Sequence, residues 1–474
     1  MSSQTDILQN MARLRQRESI FLFIVLFVNF VGVFLNESSF DSGDSILHYL
    51  MSKQAFQYPS YLLHHWAKPL FVLLSSPFAQ LGFGGMKLFN AFCIILALIY
   101  SSRLQCNSTC STFCIIGLLI GLSMPDVFRA QSSGLTEPLF AMMLCGGILL
   151  YFRGNLMQAV AIWSFLPFVR SEGWILIPVI AVLMLLDKNW KYLPFFILGT
   201  VLYSIIGSFH YNDILWVFHE NPYQGEEVKY GSGNWNHYLV QLMYGMGLPL
   251  FLLLISGSLL LAVKHFFMKK HMSKAQMWSL ILFWAFFSAH TIFWAMGWFH
   301  SFGLRRVFIA VLPLTLLPIQ FVLDRIGSMG KWGIRSRLAL ITLIVIFPFT
   351  GSPMGYGSFD AFKKDSHQLA ADQAAQWLSS SIFNKNTIAF GYHYLAEAMD
   401  RDMDNPDQVR ILEKNNFQDL PQETIVIWDD YFAVSDKGLT EESFKDSSKF
   451  EFIKEFFGVS SGKKSRISIY RKSM

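Results

Sequence analysis

The run IFLFIVLFVNFVGVFL occupies residues 20–35, and Asn36-Glu37-Ser38-Ser39-Phe40-Asp41-Ser42-Gly43-Asp44-Ser45-Ile46-Leu47-His48-Tyr49 follows it at once. Arg13, Arg15 and Arg17 stand just before the run. A basic patch leading into an apolar stretch has the outline of a secretory leader. Asn36-Glu37-Ser38-Ser39 offers no small-x-small cleavage site, however, so the stretch is expected to be an uncleaved membrane anchor. Apolar segments then recur along most of the chain, near 20–36, 86–102, 111–123, 136–152, 155–169, 174–187, 192–209, 238–263, 276–297, 306–323 and 337–350. A transmembrane helix takes about 20 apolar residues. Several of these segments are shorter, and the expected count is about eleven spans. Residues 67–82 are also apolar, but Ser75-Ser76-Pro77 interrupts them, so this stretch reads as an interfacial or re-entrant helix.

Composition agrees. Hydrophobic residues make up 53% and charged residues 15% of the 474, against about 25% charged in soluble domains. The 46 Phe and 13 Trp suit lipid-facing surfaces and interfacial belts. The net charge of +5 is spread along the chain, which argues against nucleic-acid binding. With the N-terminus in the cytosol, the short inner loops hold Arg103, Arg153, Lys188, Lys191, Lys264, Lys269, Lys270, Lys274, Arg325, Lys331, Arg335 and Arg337. This positive bias fixes the orientation. It places residues 37–85, residues 210–237 and the C-terminal part on the non-cytosolic face.

The composition changes near residue 351. Gly351-Ser352-Pro353 and Gly355–Gly357 predict a flexible exit from the last helix, and 361–380 has helical spacing at Leu369, Ala370, Gln373, Ala374 and Trp377. Residues 387–390, 424–428 and 466–470 read as strands. The expected fold is mainly α. It is a polytopic transmembrane helical bundle over 1–350, with a small soluble, non-cytosolic α/β domain over 351–474.

Ionisable groups near a bilayer are costly and mark function by default. Here they collect at one predicted face: Asp41, Asp44 and His48; His64, His65 and Lys68; Asp126, Arg129 and Glu137; Arg170 and Glu172; His210, Asp213, His219 and Glu220; and His300, Arg305 and Arg306. The economical reading is a single outward-facing polar site, with carboxylates able to act as a general base and arginines able to hold phosphate. A helix beginning at Ser42 or Asp44 would set Asp44 and His48 on one face, at i and i+4, although Asp44 is also a natural helix cap. The adjacent His64 and His65 would point to opposite sides of a helix, which makes them poor joint metal ligands. One would bind substrate and the other pack, or both would be structural.

These residues carry a resemblance to the GT-C-type glycosyltransferases, multi-spanning enzymes that use polyprenyl- or dolichyl-phosphate-linked sugars. Phe40-Asp41-Ser42-Gly43-Asp44 resembles the family's acidic motif in the first external loop. His64-His65-Trp66-Ala67-Lys68-Pro69-Leu70 looks like a stretch in its bacterial members, and Arg170-Ser171-Glu172-Gly173 resembles the R-x-E-G turn of mannosyltransferase-like proteins. The resemblance spans roughly residues 20–350. It departs from the pattern where the usual Asp-Glu pair becomes D-x-x-D, so either aspartate can be the base. Asp44 is preferred because it leads the helix carrying His48, with Asp41 second.

The resemblance implies an inverting hexosyl transfer from a polyprenyl-phosphate-sugar to a glycan, lipid or protein acceptor. Asp44 or Asp41 would be the catalytic base. His48, His64, His65, Lys68, Asp126, Arg129, Glu137, Arg170, Glu172, Arg305 and Arg306 would contact the donor phosphate or substrate. Resemblance to bacterial members further implies an inner membrane, with the C-terminal domain periplasmic. No cofactor is expected and no metal constellation is visible. Cys106, Cys110 and Cys114 recur every four residues and read as apolar filling of one helix face. Asp400-Arg401-Asp402-Met403-Asp404 lacks the EF-hand glycine and has Ile411 at the twelfth position, so a solvated turn is expected there. Another solvated turn is expected at Trp428-Asp429-Asp430. The sequon Asn107-Ser108-Thr109 falls on the predicted cytosolic side. The competing reading is a transporter or lipid flippase. Such proteins hold charge near the midplane and often show internal repeats, whereas here charge gathers at one face and no repeat is seen.

Overall fold

The computed structural model describes residues 2–105, 111–222, 231–268, 271–299, 301–357, 359–445 and 449–473. Cys106, Cys110, the 107–109 sequon, Lys269, Lys270 and His300 lie outside the described residues. The protein is an integral membrane protein of mainly helical fold. It divides into two compact units, one of residues 1–34 and 51–357, the other of residues 35–50 and 358–474.

In the first unit, six helices among the described residues are long and apolar enough to cross a membrane: Glu18–Leu35, Phe83–Arg103, Trp190–Tyr211, Leu248–Phe266, Lys274–Met296 and Gly330–Phe349. Several segments that read as spans are shorter or broken, and their prolines and glycines explain it. The 238–263 segment splits at Gly247, whose φ of 84° ends the helix His237–Met246 before Leu248-Pro249 starts the next. Prolines lack an N–H donor, and 3-10 turns replace α-helix at Pro167 and Pro313. The 306–323 segment is therefore two 3-10 turns, Arg305–Ala310 and Leu312–Thr315, leading into helix Leu316–Gly327. The interrupted stretch near 67–82 forms helix Pro69–Ala79, with Pro77 inside it.

Helices in lipid associate through small residues and interhelical hydrogen bonds, and both appear here. Gly147 lies so close to the Trp163 indole that a Cβ would sit 2.2 Å from Nε1. Asn90 Nδ2 donates to the carbonyls of Ser133 (2.6 Å) and Leu135 (3.0 Å), tying helix Phe83–Arg103 to the turn before Glu137. Asn29 and Gln131 exchange side-chain hydrogen bonds of 2.8 and 3.2 Å. The glycine-rich 351–357 stretch is a hydrogen-bonded turn rather than a loose exit. Gly355 and Gly357 donate to the Ser352 carbonyl, Tyr356 donates to Pro348, and the Tyr356 side chain is buried.

The second unit holds a five-stranded sheet: β1 (Ile388–Phe390), β2 (Val409–Ile411), β3 (Ile425–Asp429), β4 (Phe450–Ser460) and β5 (Lys463–Lys472), in the order β2-β1-β3-β5-β4. β1 runs parallel to β2 and β3, while β5 is antiparallel to β3 and β4. The fully buried β1 and β3 have the unbroken apolar character of interior parallel strands. Helix Ser366–Ser380 starts at a capping box in which Asp365 and Gln368 satisfy each other's backbone. It packs on β4 and β5, and Ser366 Oγ meets Ser465 Oγ at 2.7 Å. The segment 35–50 belongs to this unit. Glu37 and Ser38 N–H both donate to the Phe362 carbonyl, and the Tyr49 hydroxyl donates to Glu397 (3.0 Å).

The sequence reading of Asp429 as solvated is corrected, because its side chain is buried (0% exposed). It accepts hydrogen bonds from the N–H groups of Tyr431 (3.1 Å), Phe432 and Ala433 (3.2 Å), and so caps the turn after β3. Burial pushes its carboxyl up from 3.8 to about 7 against the pull of those three amides. The folded state therefore holds this proton more tightly than the unfolded chain does. The resulting stabilisation is whole below pH 3.8 and is lost as pH rises through about 7. Hydrogen exchange across β3 in the full-length protein is expected to quicken, beyond its intrinsic pH dependence, between about pH 5 and about pH 8. Asp429→Asn is expected to flatten that excess, and equal slopes in the two proteins would refute the argument.

Candidate functional site

In the membrane unit, five of the residues singled out in the sequence come together. Glu137 opens helix Glu137–Phe152 and is 1% exposed. Arg170, in the turn before helix Gly173–Leu186, reaches it with Nη1 at 2.8 Å and places Nη2 2.5 Å from Glu172 Oε1. Nη1 also donates to Thr136 (2.9 Å). Arg306 approaches Glu137 from the 3-10 turn at 3.8 Å. Lys68, 5% exposed, donates to Ser171 Oγ at 2.8 Å. Lys68 also has a left-handed backbone (φ 69°) at the start of helix Pro69–Ala79. That conformation costs a non-glycine residue on the order of 1 kcal/mol and persists only where the surroundings impose it. Burial brings its ammonium down from 10.5 to about 7, with Glu172 opposing and Arg170 adding to the shift. The group as described holds the amine of Lys68, the guanidinium groups of Arg170 and Arg306, and two carboxylates.

The neighbouring Arg305 belongs to a second group. Its Nε and Nη2 grip Asp126 Oδ2 and Oδ1 at 2.6 and 3.0 Å. Arg129, one turn after Asp126 on helix Pro125–Ala130, donates to the Tyr356 carbonyl (3.0 Å) and lies 5.7 Å from that ring. One short 3-10 turn thus feeds consecutive arginines into two adjoining charge groups. Fork-shaped guanidinium groups already held in place suit recognition of phosphate.

The two histidines each have a partner, His64 within its own turn and His65 far along the chain. The 3-10 helix Pro59–Leu63 ends before them, so they occupy a turn rather than opposite sides of a helix. His64 Nδ1 accepts from Ala67 N–H (3.2 Å). His65 Nε2 meets the Val217 carbonyl (2.9 Å) and its ring stands edge-on to Trp216. His219 pairs with Asp213 at 2.6 Å at the surface.

In the second unit, the acidic motif enters helix Asp44–Gln54. Asp41 caps the turn into it: its Oδ1 accepts from Gly43 (3.0 Å) and Ser45 (3.3 Å). Asp44 is the first helical residue, and the buried His48 follows one turn later.

Sequence reasoning missed His290, whose Nε2 lies 3.9 Å from Glu172. It also missed Tyr356, which supplies the carbonyl for Arg129. A histidine inside the apolar helix Lys274–Met296 was the available signal for the first; the second carried none, because its backbone is what acts. Among the described residues, no cluster of three or more His, Cys, Asp or Glu has the arrangement of a metal site.

No family model matches the chain, and no curated protein matches it in sequence. Solved structures share its fold, among them two of one protein. The crystal structure of ArnT from Cupriavidus metallidurans bound to undecaprenyl phosphate superposes with a TM-score of 0.64 at 11% identity, covering 95% of this chain and 97% of that one. The apo form of the same protein gives 0.63 at 12% identity, covering 96% and 98%. Over nearly its whole length, therefore, this chain has the fold of ArnT, a helical membrane bundle carrying a C-terminal α/β domain.

Proposed function

We propose that the protein is a membrane glycosyltransferase that moves a sugar from a polyprenyl-phosphate-linked donor to an acceptor hydroxyl on the non-cytosolic face. The observation that carries this reading is the gathering of Lys68, Arg170 and Arg306 about the buried Glu137 and the half-buried Glu172, in a chain sharing the fold of a protein whose structure holds undecaprenyl phosphate. The resemblance of the acidic motif and of Arg170-Ser171-Glu172-Gly173 to GT-C-type enzymes points the same way.

In this mechanism Asp44 removes the acceptor proton, and the oxygen attacks the anomeric carbon from the face opposite the phosphate. The bond from that carbon to the phosphate oxygen breaks, its electron pair leaves with the lipid phosphate, and the configuration inverts. Preorganised cations stabilise that departing charge without reorganisation at the moment of reaction. Lys68, Arg129, Arg170, Arg305 and Arg306 are assigned to this task. Glu137, Glu172 and Asp126 hold the arginines in place. Asp41, engaged in capping the turn into the helix, is the second choice for the base.

The test is purified protein in detergent with polyprenyl-phosphate-sugars, scoring release of free polyprenyl phosphate. Release that depends on Asp44 or Asp41 is expected. No release from any donor, together with saturable binding of a small solute, would replace the enzyme with a transporter.

A further inference from the structure

The acidic motif is packed against a particular turn of its own compact unit. Gly43 lies so near the Phe432 ring that a methyl group in place of its hydrogen would sit 2.9 Å from Cε1. Phe432 is itself fixed twice. Its ring stacks on Tyr392 with centroids 4.4 Å apart and planes within 5°, and its N–H is one of three that Asp429 caps. Tyr392 is fully buried. On the other side of the motif, Asp41 ties the same few residues to the start of the helix. A chain of contacts therefore runs from the sheet through Asp429 to Phe432, which is braced on Tyr392, and on to Gly43, the residue before the first helical residue, Asp44.

We infer that Phe432, on the turn after β3, is a positioning residue for Asp44: the C-terminal α/β fold sets where the general base is presented. This inference rests on the reading of Asp44 as base. It gives the C-terminal domain a role in catalysis through geometry, with no contact to substrate required. Gly43 is then needed for close approach, because a side chain there would push the ring or the helix start aside. The backbone of Gly43 is not in the left-handed region, so alanine is tolerated sterically in every direction except toward Phe432. A displacement of about 1 Å at a reacting group can cost about 10²-fold in rate.

Gly43→Ala in the full-length protein is expected to lower kcat for polyprenyl phosphate release by about tenfold to about 10²-fold, with KM for the donor unchanged. Adding Phe432→Leu, which removes the ring edge the new methyl meets, is expected to restore most of kcat. Full activity in Gly43→Ala, or an impaired Gly43→Ala that Phe432→Leu fails to rescue, would overturn the inference. A second readout needs no activity. Hydrogen exchange at the amides of residues 43–47 is expected to quicken in Phe432→Ala, and unchanged exchange there would also overturn it. If the wild type releases no lipid phosphate while exchange at 43–47 responds to Phe432, the coupling stands and the assignment of the base falls.

Discussion

Asp44→Asn inserts and folds as the wild type does, and loses transfer by about 10²- to 10⁴-fold, the range a positioned general base contributes. Asparagine keeps the size and an acceptor oxygen at the first turn of helix Asp44–Gln54, while it cannot take a proton. The hydrogen bonds from Gly43 and Ser45 to Asp41 at the helix start are untouched. Folding and chemistry are thereby separated at this position, where the sequence allowed Asp44 to be base and cap at once. Gel filtration in detergent and release of polyprenyl phosphate, measured on the same preparation, check both halves. Unchanged release would remove Asp44 from the mechanism, and Asp41→Asn would then be the variant to examine, with its cap loss of about 1 kcal/mol in mind.

Arg170→Ala strikes the membrane unit instead. The guanidinium lies against Glu137 and Glu172 at 2.8 and 2.5 Å, and Glu137 is 1% exposed. Removing one partner of a buried pair leaves the other charge uncompensated, at about 3–5 kcal/mol. The variant is expected to unfold in detergent at a clearly lower temperature and to lose donor affinity. Pairing it with Glu137→Gln separates the two effects. If the main damage is the stranded carboxylate, the double variant is more stable than Arg170→Ala alone yet remains unable to hold the lipid phosphate. Additive losses of stability in the double variant would mean that Glu137 and Arg170 do not act as a pair.

Much of the fold was legible because lipid imposes a simple demand. Runs of apolar residues must form helices, and the six longest helices fall where those runs are. The breaks were harder to place. Gly247 at positive φ and the 3-10 turns at Pro167 and Pro313 occur inside segments whose average hydropathy conceals them, so several expected spans are short or split. In the soluble part, helix Ser366–Ser380, β1, β3 and β5 were visible from periodicity. β2 has only three residues, and β4 interleaves Phe450, Phe452 and Phe456 with Glu451, Lys454 and Glu455, a pattern that competes with an exposed helix or loop.

For the site, the charged residues beside the membrane were identified by type, and the structure gathers Lys68, Glu137, Arg170, Glu172 and Arg306. Their partition was not predictable. Nothing in Arg305-Arg306 says that one grips Asp126 while the other turns to Glu137, because that depends on the pitch of a 3-10 turn. Asp429 was misread for a related reason: an Asp-Asp pair after a strand looks solvated until the sheet closes over its first member.

The second unit is assembled from two stretches of chain, 35–50 and 358–474, with roughly 300 residues between them. A ribosome delivering about 5–20 residues per second would therefore make the acidic motif roughly 15–60 s before the turn carrying Phe432, which Gly43 packs against, exists. Through that interval the Tyr49 hydroxyl lacks Glu397, its acceptor in the finished protein, and the Glu37 and Ser38 amides lack the Phe362 carbonyl. Biogenesis of this protein thus contains a waiting period set by the order of the chain, during which the nascent loop is without its later partners. A deletion that shortens the wait without touching either stretch would be read first in yield, well before it was read in turnover.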